Sequence, residues 1–241
     1  MTQVATHLSS EQINHFVNVA HGDLVQVQQL LEAEPGLLGT VNELGETALG
    51  AAAHIGQQEI AHYLLEKGAT LDICTAAMLG QVDEVAAFLA DDPRLVSARG
   101  AHGIPLMFHA ALSGNTAVSQ LILDHGGNGI ETALHAAVKY GHLGMVEWLL
   151  ARGALTSIMD FYSRTPLEVA VEKGDEAITA VLRKHIDLST LTPCPQCGER
   201  GWRVVVSVSG NRFEEGQTAV YQCHLCQARM GTSIQNAKRA T

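Results

Sequence analysis

Thr132-Ala133-Leu134-His135-Ala136-Ala137-Val138-Lys139-Tyr140-Gly141-His142-Leu143-Gly144-Met145-Val146-Glu147-Trp148-Leu149-Leu150 holds two helical phrases on either side of one glycine. The first is rich in alanine, which has the best helix propensity and lets neighbours pack closely. The second places Met145, Trp148 and Leu149 at spacings of three and four, on one helix face. Versions of this stretch recur along the chain. The glycine between the two phrases stands at Gly22, Gly56, Gly80, Gly114, Gly141 and Gly174, with steps of 34, 24, 34, 27 and 33 residues. Six copies at such a period predict a mostly α stack of about six helix pairs. Stacked repeats offer extended surfaces, which points to binding as the class of function.

The bulk properties agree. The chain has 241 residues, 46% hydrophobic but only 5% aromatic, which favours helices packed through Ala, Leu and Val. Its net charge is −10, and the two ends differ. Residues 1–184 carry 9 basic and 21 acidic side chains, whereas residues 185–241 carry 6 and 4. The acidic body opposes non-specific attraction to nucleic acid, which requires Lys and Arg to displace phosphate counterions. Met1 to Ser10 is polar, without the basic start and apolar core of a secretory signal. No apolar run approaches the roughly 20 residues of a membrane helix. These features predict a cytoplasmic protein with no membrane partner, whose five cysteines are metal ligands or buried thiols before disulfides.

The repeats resemble the ankyrin-repeat family over residues 12–186. Thr132 to His135 is similar to the family's Thr-Pro-Leu-His start, with Ala133 in place of Pro; Thr165-Pro166-Leu167 keeps the start but continues with Glu168. The resemblance implies antiparallel helix pairs linked by β-turn fingers, and a concave face made of finger tips and first helices. Fingers are then expected near Asn42-Glu43-Leu44, Arg99-Gly100-Ala101-His102 and Asp160-Phe161-Tyr162. Only Ala69-Thr70-Leu71-Asp72 separates the second and third pairs, so no proper finger is expected there, and the finger around Gly127-Asn128-Gly129 should be tight. By the same resemblance the first-helix face includes His54, Met78, His109, Leu112 and Tyr140. Candidate partner-binding residues are Arg99, His102, Tyr140, Asp160, Phe161, Tyr162 and Met78. Phe161-Tyr162 reads either as an exposed aromatic anchor or as packing between fingers.

The character changes after Ile186. A linker over 187–191 leads to Cys194-Pro195-Gln196-Cys197 and, after 25 intervening residues, to Cys223-His224-Leu225-Cys226. Each Cys-x2-Cys is a knuckle that directs two thiolates at one point, and two knuckles complete a tetrahedral site. Trp202 to Val208 and Thr218 to Gln222 read as two strands around a turn at Ser209-Gly210-Asn211. This segment, 192–234, resembles a four-cysteine zinc ribbon, followed by a flexible tail over 235–241. One zinc ion held by Cys194, Cys197, Cys223 and Cys226 would be structural, because four protein ligands leave no open position. A redox pair of Cys-x-x-Cys motifs is the rival, disfavoured because neither motif sits in a thioredoxin-like strand–helix unit. His224 inside the second knuckle is read as a non-ligand, and Cys74 as a buried, inert thiol.

Catalysis finds no support. The sequence lacks His-Glu-x-x-His, Gly-x-Ser-x-Gly and a Gly-Lys-Ser/Thr phosphate loop. His135 is read as tying a turn together, and His54 and His109 as satisfied or solvated side chains. The reading is a non-enzymatic adaptor that binds a protein partner through its repeats, with the ribbon as a second surface. The alternative is a regulator whose ribbon contacts DNA, RNA or a polymerase through Trp202, Arg203, Arg212, Phe213, Tyr221 and Arg229. Charge does not favour it, since a zinc–tetrathiolate centre itself carries a formal −2.

Overall fold

In a computed structural model, residues 8–186, 192–200, 203–209 and 218–233 are described. The expected linker 187–191 and tail 235–241 lie outside them, as do Trp202, Arg212 and Phe213. The chain divides into two compact units, at Gly129 and Ile130.

The first unit contains four helix pairs: α1 (Ser10–Val19) with α2 (Leu24–Ala33), α3 (Ala48–His54) with α4 (Gln58–Glu66), α5 (Ile73–Met78) with α6 (Val82–Asp91), and α7 (Leu106–Ser113) with α8 (Thr116–Asp124). Local chemistry sets their starts. Ser9 and Gln12 form a reciprocal capping box on α1, while Asp23, Thr47, Asp72 and Asn115 accept from backbone N–H groups of the helices they precede. Gly56, Gly80 and Gly114 follow the first helices in left-handed conformation, at the positions the sequence spacing gives; Gly22 follows α1 without a positive φ.

The inner helices are short because they are enclosed. α5 has six residues and all are buried, packed between α3 and α7 and backed by α6. Met78 is therefore 0% exposed, and His54, His109 and Leu112 are buried as well. The expected open face at His54, Met78, His109 and Leu112 is corrected: alanines such as Ala52, Ala76 and Ala110 bring neighbouring backbones so close that these side chains are covered. Cys74 is buried as expected, and burial together with the Asp72 charge pushes its thiol up to about 12.

Two fingers project from this unit, closed by isolated β-bridges Val41–Thr47 and Arg99–Pro105. Residues 67–72 form none. The connection at Gly127 is tighter than a finger. The Gly127 N–H donates to the Ile122 carbonyl (2.8 Å), and a Cβ there would lie 2.3 Å from Ile122 Cγ2. The next helix begins at Ile130, two residues before the Thr132 start that the family pattern suggests.

The second unit contains α9 (Ile130–Lys139) with α10 (Leu143–Leu150), α11 (Pro166–Lys173) with α12 (Glu176–His185), and an antiparallel sheet of β1 (Arg203–Ser209), β2 (Thr218–Cys223) and β3 (Arg229–Ser233) in the order β1-β2-β3. Thr165 and Glu168 form a second capping box, with Pro166 at the first helical position. His135 Nε2 donates to the Ile158 carbonyl (2.8 Å), the tying role expected of it. The third strand was not legible in the sequence: Arg229-Met230-Gly231-Thr232-Ser233 has no strong alternation, and pairing to β2 is what extends it. The β1–β2 register shifts between Val205 and Ser207, a bulge. No helix among the described residues is long and apolar enough to cross a membrane.

Candidate metal centre and finger tips

The four knuckle cysteines meet in the second unit. Their sulfurs all lie within 4.8 Å of one another, with Cys194 Sγ to Cys226 Sγ and Cys197 Sγ to Cys223 Sγ both 3.7 Å. A tetrahedron with Zn–S bonds of about 2.3 Å has edges of about 3.8 Å, whereas a disulfide would need about 2.05 Å. The donor set and spacing therefore fit a tetrahedral divalent ion, and all four thiols are free.

Backbone geometry builds the two knuckles alike. The Gly198 N–H donates to the Cys194 carbonyl and the Gln227 N–H to the Cys223 carbonyl (2.8 and 3.0 Å). The Cys194 N–H donates to Glu199 and the Cys223 N–H to Ala228 (2.7 and 2.9 Å). Gly198 and Gln227 both take positive φ, 77° and 62°. The glycine does this freely, while Gln227 carries a conformational cost on the order of 1 kcal/mol. Burial raises the Cys194 thiol, but backbone N–H groups of Cys197 and Gln196 outweigh it and bring it to about 7. His224 stands outside the sulfur cluster, its Nε2 3.8 Å from Glu199 Oε1.

The cysteine module is seated on its own unit. Tyr221 is 1% exposed and packs with Cys194 and Cys223; its hydroxyl donates to the Tyr162 carbonyl (2.6 Å). Arg183 on α12 pairs with Glu199 at 3.1 Å, and β1 runs against α11.

Several residues expected to bind a partner have other work. Tyr162 is half-buried against the cysteine cluster, so it belongs to this internal seam. Asp160 organises its own turn: Oδ1 accepts from the Tyr162 and Arg164 N–H groups, and Oδ2 from the Arg164 side chain (all 2.9 Å). Arg99 is exposed but donates to the Gly103 carbonyl (2.8 Å). His102 turns its Nε2 towards the buried Glu46 carboxylate. Tyr140 is half-buried, and burial raises its phenol pKa. Phe161 stays 44% exposed, edge-on to Tyr162.

The exposed apolar side chains near the fingers include Val41 and Leu44 on the first, with Leu44 72% exposed, and Met159 and Phe161 beside the third turn. Sequence reasoning placed Leu44 on the first finger without singling it out as an anchor, and it missed Val41 and Met159, because an isolated apolar residue in a loop carries no periodicity. It also missed His21 and Glu46, which share no motif with His54 and His102. In the first unit, a groove of about 680 Å³ runs beside the first two fingers, lined by residues including Leu44, Glu46, Asp72, Gly100, His102 and His109.

Known proteins bear on the repeats. A family model described as "Ankyrin repeats (3 copies)" matches residues 73–160 and 106–191, and one described as "Ankyrin repeat" matches residues 44–76. The chain is 29% identical to rat cyclin-dependent kinase 4 inhibitor B over 128 residues, 49% of this chain and 95% of that protein. It is 33% identical to the potassium channel AKT1 of Arabidopsis thaliana over 104 residues, and 39% identical to human NAD-capped RNA hydrolase NUDT12 over 69 residues. Those matches span 38% and 28% of this chain but only 12% and 15% of the two relatives. The family matches together run from residue 44 to residue 191, more than half of the sequence, over the same helix pairs and fingers: the chain belongs to the ankyrin-repeat family.

Proposed function

We propose that this protein is a non-enzymatic adaptor that captures a protein partner on its finger tips, with one structural zinc ion held by Cys194, Cys197, Cys223 and Cys226. The observation that carries the partner reading is apolar surface at finger tips, chiefly Leu44 and Phe161. Projecting side chains of this kind lose water on docking and serve as anchors, each worth about 2 kcal/mol or more where fully covered. A relative matched along nearly its whole length is by name an inhibitor of a kinase, and so acts on another protein. Residues 12–186 form the repeat domain in this reading, and residues 192–234, after a linker over 187–191, a zinc ribbon.

The zinc supplies folding free energy rather than chemistry, on the order of 10 kcal/mol in small zinc peptides. Cys194 and Cys223 hold it from the buried side, and Tyr221 fastens the loaded knuckles to the third finger through the Tyr162 carbonyl. Free thiols at ligand spacing favour a reducing compartment such as the cytoplasm. Affinity capture from native lysate with the full chain as bait tests the partner reading. Leu44→Ala and Phe161→Ala should each reduce retention of the captured protein at least about tenfold, a hot-spot-sized loss. Equal retention by both variants removes the finger tips from the interface.

A further inference from the structure

A second cluster of metal-binding side chains lies in the first unit, far in sequence from the cysteines. Glu46, on the first finger, is 4% exposed. Its Oε1 faces three imidazole nitrogens: His54 Nδ1 at 3.1 Å, His102 Nε2 at 3.5 Å and His21 Nε2 at 3.8 Å. All four donor atoms lie within 4.8 Å of one another. The rings interlock edge to face, with centroids 5.0 Å apart for His21 and His54 and 4.9 Å for His54 and His102.

The structure assigns His21, Glu46, His54 and His102 as a site for a tetrahedral divalent transition metal ion of the zinc class. Three independent features support this. First, metal bonds of about 2.0–2.1 Å place neighbouring donors of a tetrahedron about 3.4 Å apart. The three carboxylate–imidazole distances bracket that value. Second, the buried Oε1 lacks a well-aligned hydrogen bond. His54 Nδ1 lies 3.1 Å from it but also 3.2 Å from the Gly50 carbonyl, so an N–H there is divided between two acceptors. A buried carboxylate oxygen left in this state is costly unless a cation completes it. Third, the ligand orientations are fixed from behind. His21 Nδ1 donates to the Val17 and Asn18 carbonyls (3.2 and 3.1 Å), which leaves the Nε2 lone pair aimed at Glu46. His102 adopts φ 57°, a left-handed conformation that a non-glycine residue rarely takes, and this strained turn presents its ring to the cluster.

The donor types favour zinc, cobalt or nickel over calcium or magnesium, which prefer oxygen. Binding moves the His54 proton from Nδ1 to Nε2 and frees the Nδ1 lone pair. The ion would join the end of α1, the first finger, the last turn of α3 and the second finger. Two of its ligands, Glu46 and His102, line the groove beside the fingers, so metal would hold that groove at one width. None of this depends on the partner reading above.

The test is a cobalt titration of the full chain whose cysteine site is already zinc-loaded, followed by visible absorption. One further equivalent of Co²⁺ should bind with tetrahedral bands and without the near-ultraviolet sulfur charge-transfer band. His102→Ala, at an exposed position, and Glu46→Gln should each weaken that equivalent about tenfold to 100-fold, as expected for lost ligands. Their far-ultraviolet circular dichroism should match the unsubstituted chain. Cys226→Ser should leave the bands in place. Absence of a further equivalent, or equal cobalt affinity in His102→Ala and the unsubstituted chain, overturns the assignment; a cluster that takes up protons alone would give the first result.

Discussion

The first and third fingers are the same turn carrying opposite charges. In the first, Asn42 Oδ1 accepts from the Leu44 and Glu46 N–H groups, both at 2.9 Å, and the Asn42 N–H donates to the Glu46 carbonyl. In the third, Asp160 Oδ1 accepts from the Tyr162 and Arg164 N–H groups, and the Asp160 N–H donates to the Arg164 carbonyl. The residue four places on is Glu46 in one and Arg164 in the other. Arg164 is neutralised by neighbours in its own unit, Asp160 at 2.7 Å and Glu172. Glu46 has no such partner in its turn, because Asn42 is uncharged, and it depends on histidines from three other segments. One finger is locally complete; the other needs something brought to it. The backbone of a turn thus says little about what its buried charge will do.

The largest effect expected concerns the platform behind the third finger. Chelation, or Cys226→Ser, should release amide protection in β2 and β3 and expose the Tyr221–Tyr162 seam, while helical circular dichroism in the first unit persists. Hydrogen exchange reads this directly, and unchanged protection would show that the module folds without metal. Next, Arg164→Met should destabilise the second unit by about 2 kcal/mol, since it leaves Asp160 and Glu172 without their cation. Chemical denaturation measures it, and a loss within error would mean that the third finger is no more self-sufficient than the first.

Acidification should act on the histidines that support both regions. Burial lowers the pKa of His109 and of His135, against the raising effect of their bonds to the Pro105 and Ile158 carbonyls. Each therefore binds its proton more readily unfolded than folded. Their contribution is complete above about pH 6.5, the unfolded value, and is lost as pH falls towards the depressed folded values. Denaturation midpoints should drop between pH 7.5 and 5.5, and His135→Gln should flatten that slope. The smallest effect is expected for Glu46→Leu in chelated protein. Removing a buried carboxylate with poor hydrogen bonding should change stability by less than about 1 kcal/mol, or raise it. A large loss would show that the histidines alone satisfy Glu46.

Much of the fold was legible because it rests on local rules. The glycine spacing located the helix ends, and Gly56, Gly80, Gly114, Gly141 and Gly174 all take left-handed conformations there. The alanine phrases located the enclosed helices. What failed was exposure. Met78 and Leu112 looked available on a helix drawn alone, yet neighbouring helices cover them. Tyr162 looked like half of an aromatic anchor, but a tyrosine 59 residues further on occupies its carbonyl.

The two candidate metal sites divide along the same line. The cysteine site could be read from the chain because Cys-x2-Cys is a local geometric unit, and two such units need only be brought together. The His21–Glu46–His54–His102 cluster has no spacing to read. Its ligands come from a helix end, two fingers and a last helical turn, and their meeting follows from how successive repeats stack. The sequence by itself determined the repeat, its helix boundaries and the paired thiolates, since each depends on interactions between residues a few places apart. The tertiary structure alone decided which faces stay open and which distant side chains share a buried site, because those depend on packing between repeats, where small residues remove the surface that a single helix would have kept.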